Sequence, residues 1–262
     1  MLLLSPRQLE ILRLAREQGR VIVEELAAHF ALTPQTIRKD LNDLCDQRYL
    51  QRIHGGAVIA SGVENMGYEA RRTLALEEKR RIGLRAAQLV PDNCSLFVNI
   101  GTTTEQVAQA LASHRGLLVI TNNINVANIL RGAPGVDVIV AGGLVRRGDG
   151  GIVGEATVDF INQFKVDYAV VGASAIDADG AILDYDFREV RVSQAIIRNA
   201  RQVILVADAM KFERSAPVRI GHLSQIHVFV TDKPLPDDLQ QLARDSGVTI
   251  ETASETNGDG AS

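Results

Sequence analysis

The sequence predicts a mixed α/β protein. It reads as an N-terminal winged helix-turn-helix over residues 1–60, a linker over 61–75 and a mostly parallel α/β domain over 76–252. Three observations carry this reading. Three short amphipathic patterns follow one another near the N-terminus and run into a hairpin-like stretch. Beyond residue 76, short apolar runs alternate with helical patterns. Several of those runs end in glycine, serine, threonine or asparagine. The closing stretch, 253–262, is small and polar, the composition of a disordered tail.

Ser5-Pro6 offers a capping hydroxyl and a proline that has no N–H to lose in a first helical turn. Ile11, Leu12, Leu14 and Ala15 share one side of the helix that follows, and Gly19 ends it. Val23, Leu26, Ala27 and Phe30 stand at i, i+3, i+4 and i+7 on a second helix. Ala31-Leu32 is a tight joint before Thr33-Pro34, which repeats the cap-and-proline start. In the third helix Ile37, Leu41 and Leu44 form a buried stripe, with Gln35, Arg38, Lys39 and Asn42 opposite.

That polar face suits a helix laid in a major groove, with Arg38 and Lys39 as main contacts and Thr33, Gln35 and Thr36 beside them. The same stripe also suits an ordinary amphipathic surface helix, and the helices before it favour the DNA reading. Residues 50–53 and 57–59 are strand-like, and Gly55-Gly56 are read as supplying positive φ angles to a hairpin turn. The wing so formed places Arg52 and His54 against backbone or minor groove. Residues 1–60 hold eight Lys and Arg against seven Asp and Glu, so the DNA reading rests on geometry rather than charge.

An apolar content of 46% over 262 residues is enough for one small and one medium domain with a sizeable core. No apolar run approaches a membrane span, and the first residues lack the basic start of a signal peptide. Cys45 and Cys94 lie far apart without ligand spacing, which suggests reduced thiols in a cytoplasmic protein. The five histidines form no cluster, so neither metal nor cofactor is expected.

A helix starts near Leu76, with Glu77 and Glu78 in the turn where the dipole favours them, and Pro91-Asp-Asn93 stops it. Strands are expected over 96–99, 117–121, 136–141, 168–172, 203–207 and 228–231, and helices over 105–112, 124–131, 155–164, 190–199 and 237–246. Near-continuous apolar strands separated by helices mean a parallel sheet covered on both faces. Ligands bind such sheets at the carboxyl ends of the strands, where the small and polar loops fall.

Those loops supply the candidate ligand residues. Gly101-Thr-Thr-Thr104 opens a helix whose free N–H groups favour an anion such as phosphate, though a plain capping turn looks similar. Asn122 and Asn123 suit hydroxyl or phosphate recognition, or simply cap the next helix. Gly142-Gly143 is a close-approach loop or a tight turn. Lys211, just after Asp208 at a strand end, is the preferred cation, ahead of Arg146, Arg147 and Arg188. Asp184, with Asp186 and Glu189, offers carboxylates for polyol hydroxyls.

At these residues the chain resembles the DeoR family of bacterial transcription regulators, from about residue 7 to 251. The resemblance includes Thr36-Ile-Arg-x-Asp-Leu41, His54-Gly-Gly56, Gly101-Thr-Thr103 and Thr121-Asn-Asn-Ile-Asn-Val-Ala-Asn128. A more distinctive run is Asp149-Gly-Gly-Ile-Val-Gly-Glu-Ala-Thr157 with Asp159-Phe-Ile-x-Gln-Phe164, similar to members governing glycerol 3-phosphate genes. The resemblance implies an effector domain similar to sugar-phosphate isomerases, a homo-oligomer (dimer or tetramer), and release from operator DNA when glycerol 3-phosphate binds as inducer. Asn99 stands where the family often has aspartate, and Met210-Lys211-Phe212 where it has Ser-Lys-Phe. The competing readings are an activator, a regulator answering to another phosphorylated sugar, and a sugar-phosphate isomerase. An enzyme, however, has no evident use for a winged helix.

Overall fold

The computed structural model describes residues 4–18, 20–47, 49–53, 55–59 and 68–253. The chain divides into two compact units, Met1–Leu74 and Ala75–Ser262. The expectations for Gly19, His54, 61–67 and the tail from 254 lie outside the described residues.

The first unit contains α1 (Pro6–Gln18), β1 (Arg20–Ile22), α2 (Val23–Phe30), α3 (Pro34–Asp46), β2 (Leu50–Ile53), β3 (Gly56–Ile59) and α4 (Tyr68–Thr73). Ser5 and Gln8 close a reciprocal cap on α1: the Gln8 N–H donates to Ser5 Oγ at 3.2 Å, and the Ser5 N–H donates to Gln8 Oε1 at 2.9 Å. Between α2 and α3 the chain turns at Ala31, which is left-handed at φ 53° and ψ 43°. A side chain there costs about 1–2 kcal/mol. The turn is held because Leu26 and Ala27 before it, and Ile37, Leu41 and Leu44 after it, are buried with Ile11, Leu12 and Ala15 of α1. Leu14 and Phe30, expected in that core, are only half-buried.

The wing has three strands in the order β1-β3-β2, all antiparallel. β1 was not legible, because three residues running directly into a helix show no alternation. Ile53 pairs with Gly56, leaving a two-residue connection. Gly55 of that connection has a positive φ, +76°. Gly56 does not, which corrects the reading that both glycines serve the turn. It is needed for close approach instead: a Cβ there would stand 2.0 Å from the Val21 carbonyl oxygen. α4 falls within the segment read as a linker, and the Tyr49 and Thr73 hydroxyls lie 3.1 Å apart in a hydrogen bond.

The second unit runs α5 (Leu76–Gln88), β4 (Ser95–Val98), α6 (Thr102–Leu111), β5 (Leu117–Thr121), α7 (Ile124–Leu130), β6 (Val136–Val140), β7 (Leu144–Val145), β8 (Ile152–Val153) and α8 (Glu155–Ile161). It continues through β9 (Val166–Gly172), β10 (Ala175–Ile176), β11 (Ala181–Asp184), α9 (Phe187–Arg198), β12 (Ala200–Val206), β13 (Val218–His222), β14 (Val228–Thr231), α10 (Asp237–Asp245) and β15 (Thr249–Thr252). Seven strands form one sheet, β15-β14-β12-β9-β4-β5-β6, and every neighbouring pair is parallel.

Both faces are covered. Leu96, Val98, Val119 and Val170 pack with Ile82 of α5, Val107 of α6 and Val126 of α7. Phe97, Val171, Leu205 and Phe229 pack with Ile161 of α8, Ile196 of α9 and Leu239 of α10. The six expected strands are present, and β15 adds a seventh. The antiparallel set β10-β11-β13 and the β7–β8 hairpin were not foreseen, being short and lacking a clean two-residue alternation. From β4 the chain builds outward through β5 to β6, then returns to the other side of β4 with β9. The carboxyl ends of β4 and β9 therefore flank the point where strand order reverses, the place where a crevice opens in such sheets.

Candidate functional site

In the first unit Thr33 caps α3. Its Oγ1 accepts the Thr36 N–H at 3.3 Å and lies 3.0 Å from the Thr36 hydroxyl, so both threonines shape the helix start. Gln35, Arg38, Lys39 and Asn42 are exposed on the face opposite Ile37, Leu41 and Leu44. Arg38 approaches Glu24 at 3.8 Å, but both side chains are more than half exposed and such pairs contribute little. Asp40 was not singled out in the sequence. It is buried and accepts from Arg7 Nε at 2.6 Å and Nη2 at 3.1 Å, a two-pronged tie between α1 and α3. Arg52 is exposed on β2, and His54 lies outside the described residues.

In the second unit the loops after β4, β9 and β12 converge. A Cβ on Gly172 would lie 3.7 Å from Thr104 Cγ2, 3.8 Å from the Ile100 carbonyl oxygen and 3.9 Å from that of Val206. Gly101 precedes α6 at φ +152°, a conformation few side chains adopt. Thr102 and Thr103 are buried in the first turn. Thr104 is committed inward: its hydroxyl is 2.7 Å from the Asn99 carbonyl oxygen and 2.8 Å from that of Gly101. It braces the loop rather than presenting a donor, which corrects its reading as a ligand contact. Asn99 is buried and donates from Nδ2 to Ser193 Oγ at 2.8 Å, while its Oδ1 has no partner.

Asn122 and Asn123 separate in role. Asn122 is fully buried at the end of β5, donates to the Ile152 carbonyl at 3.2 Å, and its Oδ1 has no partner. Asn123 is spent internally. Its Oδ1 accepts the Asn125 N–H at 2.8 Å, capping α7, and its Nδ2 donates to Glu105 at 3.2 Å. The capping alternative describes it, and the ligand role does not. Gly142 and Gly143 are exposed in the loop after β6, at the sheet edge two strands from β4. Gly142 accepts from the Thr157 hydroxyl at 2.9 Å, so these glycines belong to α8 packing and not to the crevice.

Arg146 is likewise committed. It donates to Asp149 at 2.8 Å, to Asp186 at 3.1 Å and to Glu189 at 2.6 Å. Burial works against its charge, and the bonds to Asp149 and Glu189 outweigh that and raise its pKa. Asp186 caps α9. Burial opposes its ionisation, yet bonds from the Arg188 side chain and N–H and from Arg146 lower its pKa to about 2. Asp184 is buried, accepting from Ser174 at 3.1 Å and from the Tyr185 N–H at 2.6 Å.

Lys211 is buried in the short 3-10 helix Ala209–Glu213, its N–H on the Asp208 carbonyl at 3.0 Å. Asp208 is itself buried, and one of its oxygens has no partner. Burial pushes its pKa up, but Lys211, Lys79 and Arg214 hold it below the usual carboxylate range. Lys79, on α5, was missed because a lysine after two glutamates reads as a solvated helix face.

Thus the structure brings Gly101–Thr103, Asp184 and Lys211 to the carboxyl edge near the reversal of strand order. Asn122 lies one strand away, and Gly142 and Gly143 stand apart. Among the described residues no group of three or more His, Cys, Asp or Glu suits a metal ion, and no helix is long and apolar enough to cross a membrane.

Residues 7–63 match the DeoR-like helix-turn-helix domain, and residues 74–233 match the DeoR C terminal sensor domain. Among curated proteins, the glycerol-3-phosphate regulon repressor of Escherichia coli (strain K12) is 45% identical, covering 92% of this chain and 96% of that protein. The glycerol-3-phosphate regulon repressor of Haemophilus influenzae is 47% identical over 88% and 90%. The HTH-type transcriptional repressor CsqR of E. coli (strain K12) is 38% identical over 94% of each. Solved structures that align include ribose 5 phosphate isomerase A from Neisseria gonorrhoeae, at 15% identity, 52% and 53% coverage and a TM-score of 0.37. A likeness that slight carries no argument about chemistry.

Proposed function

The chain belongs to the DeoR family of helix-turn-helix DNA-binding regulators, and from that premise we propose that it represses glycerol and glycerol 3-phosphate metabolism genes and leaves its operator when glycerol 3-phosphate binds. The exposed face of α3, with Gln35, Arg38, Lys39 and Asn42, takes the operator, and Arg52 contacts backbone beside it. The ligand's phosphate sits at the α6 N-terminus near Gly101–Thr103, facing Lys211. Its hydroxyls meet Asn99, Asn122 and Asp184.

The observation that carries this reading is a match of chemistry at the strand ends. A helix N-terminus and a buried lysine suit the anion, while two buried amide oxygens without partners, Asn99 Oδ1 and Asn122 Oδ1, suit the hydroxyl donors of a polyol. The names of the relatives at 45% and 47% identity point to the same ligand. Catalysis is not part of the reading. Two buried carboxylates, Asp149 and Glu189, are both bonded to Arg146, an arrangement that suits a structural clamp better than a general base.

The test is an operator-shift titration on neighbouring glycerol-gene promoters. Glycerol 3-phosphate should release the DNA, because an inducer must bind the free protein more tightly than the complex. Uncharged glycerol should not. Release by glycerol at equal concentration would overturn the phosphate-anchor reading, and release by a different phosphorylated sugar alone would move the effector assignment.

A further inference from the structure

Two buried asparagines stand side by side at the carboxyl edge of the sheet. β4 and β5 pair with Val98 opposite Thr121, and Asn99 and Asn122 follow that pair by one residue on each strand. Side chains alternate along a strand, so both amides leave the sheet on the face of Phe97 and Ile120, which α8 and α9 cover. Neighbouring strands lie about 4.8 Å apart, close enough for one small ligand to meet both amides. Neither asparagine is more than 1% exposed, and each Oδ1 is without a partner among the described residues.

A primary amide turns either a donor or an acceptor toward a ligand, and its other partner decides which. For Asn122 that partner is the Ile152 carbonyl, 3.2 Å from Nδ2, which only accepts. For Asn99 it is the Ser193 hydroxyl, 2.8 Å from Nδ2. A serine hydroxyl both donates and accepts. Ser193, on α9, donates its single proton to the Glu189 carbonyl oxygen at 3.1 Å, four residues back along the helix. What it offers Asn99 is therefore a lone pair. Reversing either amide would set its oxygen against an acceptor oxygen. Both NH2 groups are thus taken up internally, and both Oδ1 atoms are left for a ligand.

We propose that Ser193 is a positioning residue that fixes Asn99 as an acceptor, so that the Asn99–Asn122 pair makes the effector site select neighbouring hydroxyls over a carbonyl. The inference rests on the phosphate-ester reading of that site and adds to it the oxidation state of the ligand's carbon chain. Two adjacent acceptors suit two vicinal O–H groups. A carbonyl in place of one hydroxyl brings a third acceptor and leaves a buried amide oxygen unsatisfied. A regulator so built answers to the alcohol phosphate and ignores the corresponding ketone phosphate.

The experiment measures binding to the full chain by calorimetry with two matched pairs. One is glycerol 3-phosphate and dihydroxyacetone phosphate, whose keto form differs at C2 alone. The other is erythritol 4-phosphate and erythrulose 4-phosphate. An unsatisfied buried acceptor corresponds to roughly 10- to 100-fold in affinity, so the parent should favour the alcohol of a pair by about that factor. Ser193→Ala should collapse the preference toward unity, because the released amide turns its NH2 to the carbonyl. Ser193→Thr, which keeps the hydroxyl, should hold the parent ratio. A serine with only a structural part would weaken alcohol and ketone alike.

Should Ser193→Ala not fold, Ser193→Cys serves, its sulfur being a weak acceptor, and it should lower the ratio as well. Equal affinity of the parent for alcohol and ketone overturns the proposal, as does a ratio that neither variant moves. If only the four-carbon alcohol binds and is preferred over its ketone in a Ser193-dependent way, the glycerol 3-phosphate reading falls and the acceptor pair stands. If dihydroxyacetone phosphate binds and releases operator DNA as well as glycerol 3-phosphate does, the inducer reading stands and the acceptor pair falls. A parent that binds none of the four removes both.

Discussion

Arg38 illustrates how little of a side chain's role its nearest neighbour decides. Its contact with Glu24 is long and exposed on both sides, so water and salt already compete for it. The guanidinium is thus available to a groove, where a bidentate bond to a guanine edge is worth roughly 1–3 kcal/mol. Arg38→Ala should weaken operator binding by about that amount. An unchanged titration curve with an intact fold would remove Arg38 from the interface. Lys211 is the corresponding residue of the second unit. Lys211→Ala should blunt release by glycerol 3-phosphate in the same shift assay, and a normal response would sink its assignment. The placement of both residues was legible in the sequence, one from helical phase and one from its position after a strand end. Thr104 and Asn123 were not, because a hydroxyl or amide that caps its own loop is spelled like one that faces a ligand.

At the scale of elements, the β7–β8 hairpin is held to the start of α9 by one arginine. Arg146 and Asp149 lie at the hairpin, Asp186 and Glu189 on α9, and both Asp149 and Glu189 are buried. Arg146→Ala removes the guanidinium shared by the buried Asp149 and Glu189 and should cost about 3–5 kcal/mol. Its pH signature is distinctive. In the parent, Asp186 is held at about 2, so its stabilisation is complete above its unfolded value and lost as pH falls toward 2. In the variant, Asp186 loses the Arg146 bond that helps to lower its pKa, so the stability gap should narrow between pH ~5 and pH ~2. Denaturant titrations of both proteins at the two pH values decide it, and a gap independent of pH would assign the loss to packing instead. The wing offers a simpler test of close approach. With the Val21 oxygen where its Cβ would be, Gly56→Ala should separate β1 from β3 and lower the melting temperature of the first unit.

For the whole molecule, the near balance of charge over residues 1–60 sets an expectation about assembly. A head with little net attraction for phosphate gains tight binding by engaging two half-sites at once, through a homo-oligomer, with avidity of about 10²-fold or more. Full-length protein should therefore bind an operator with two half-sites far more tightly than one with a single half-site. Equal affinities for the two DNAs would argue against a multivalent complex.

Helical phase, cap residues and runs of apolar strand determined much of this protein from the sequence alone. They specify the three helices with the exposed polar face of the third, six of the seven parallel strands, and the small and polar loops at the strand ends. Those signals are local, written within a dozen residues by the 3.6- and 2-residue periods of the backbone. Tertiary structure alone decided the remainder. It added β1 and β13, whose pairing partners β3 and β11 lie far away in sequence. It turned Arg146 from a ligand cation into a clamp, and drew Lys79 from an apparently solvated face into the interior. The physical reason is the same in each case. A charged or polar group takes its role from the partners and burial it meets in space, and those are set only when distant segments pack.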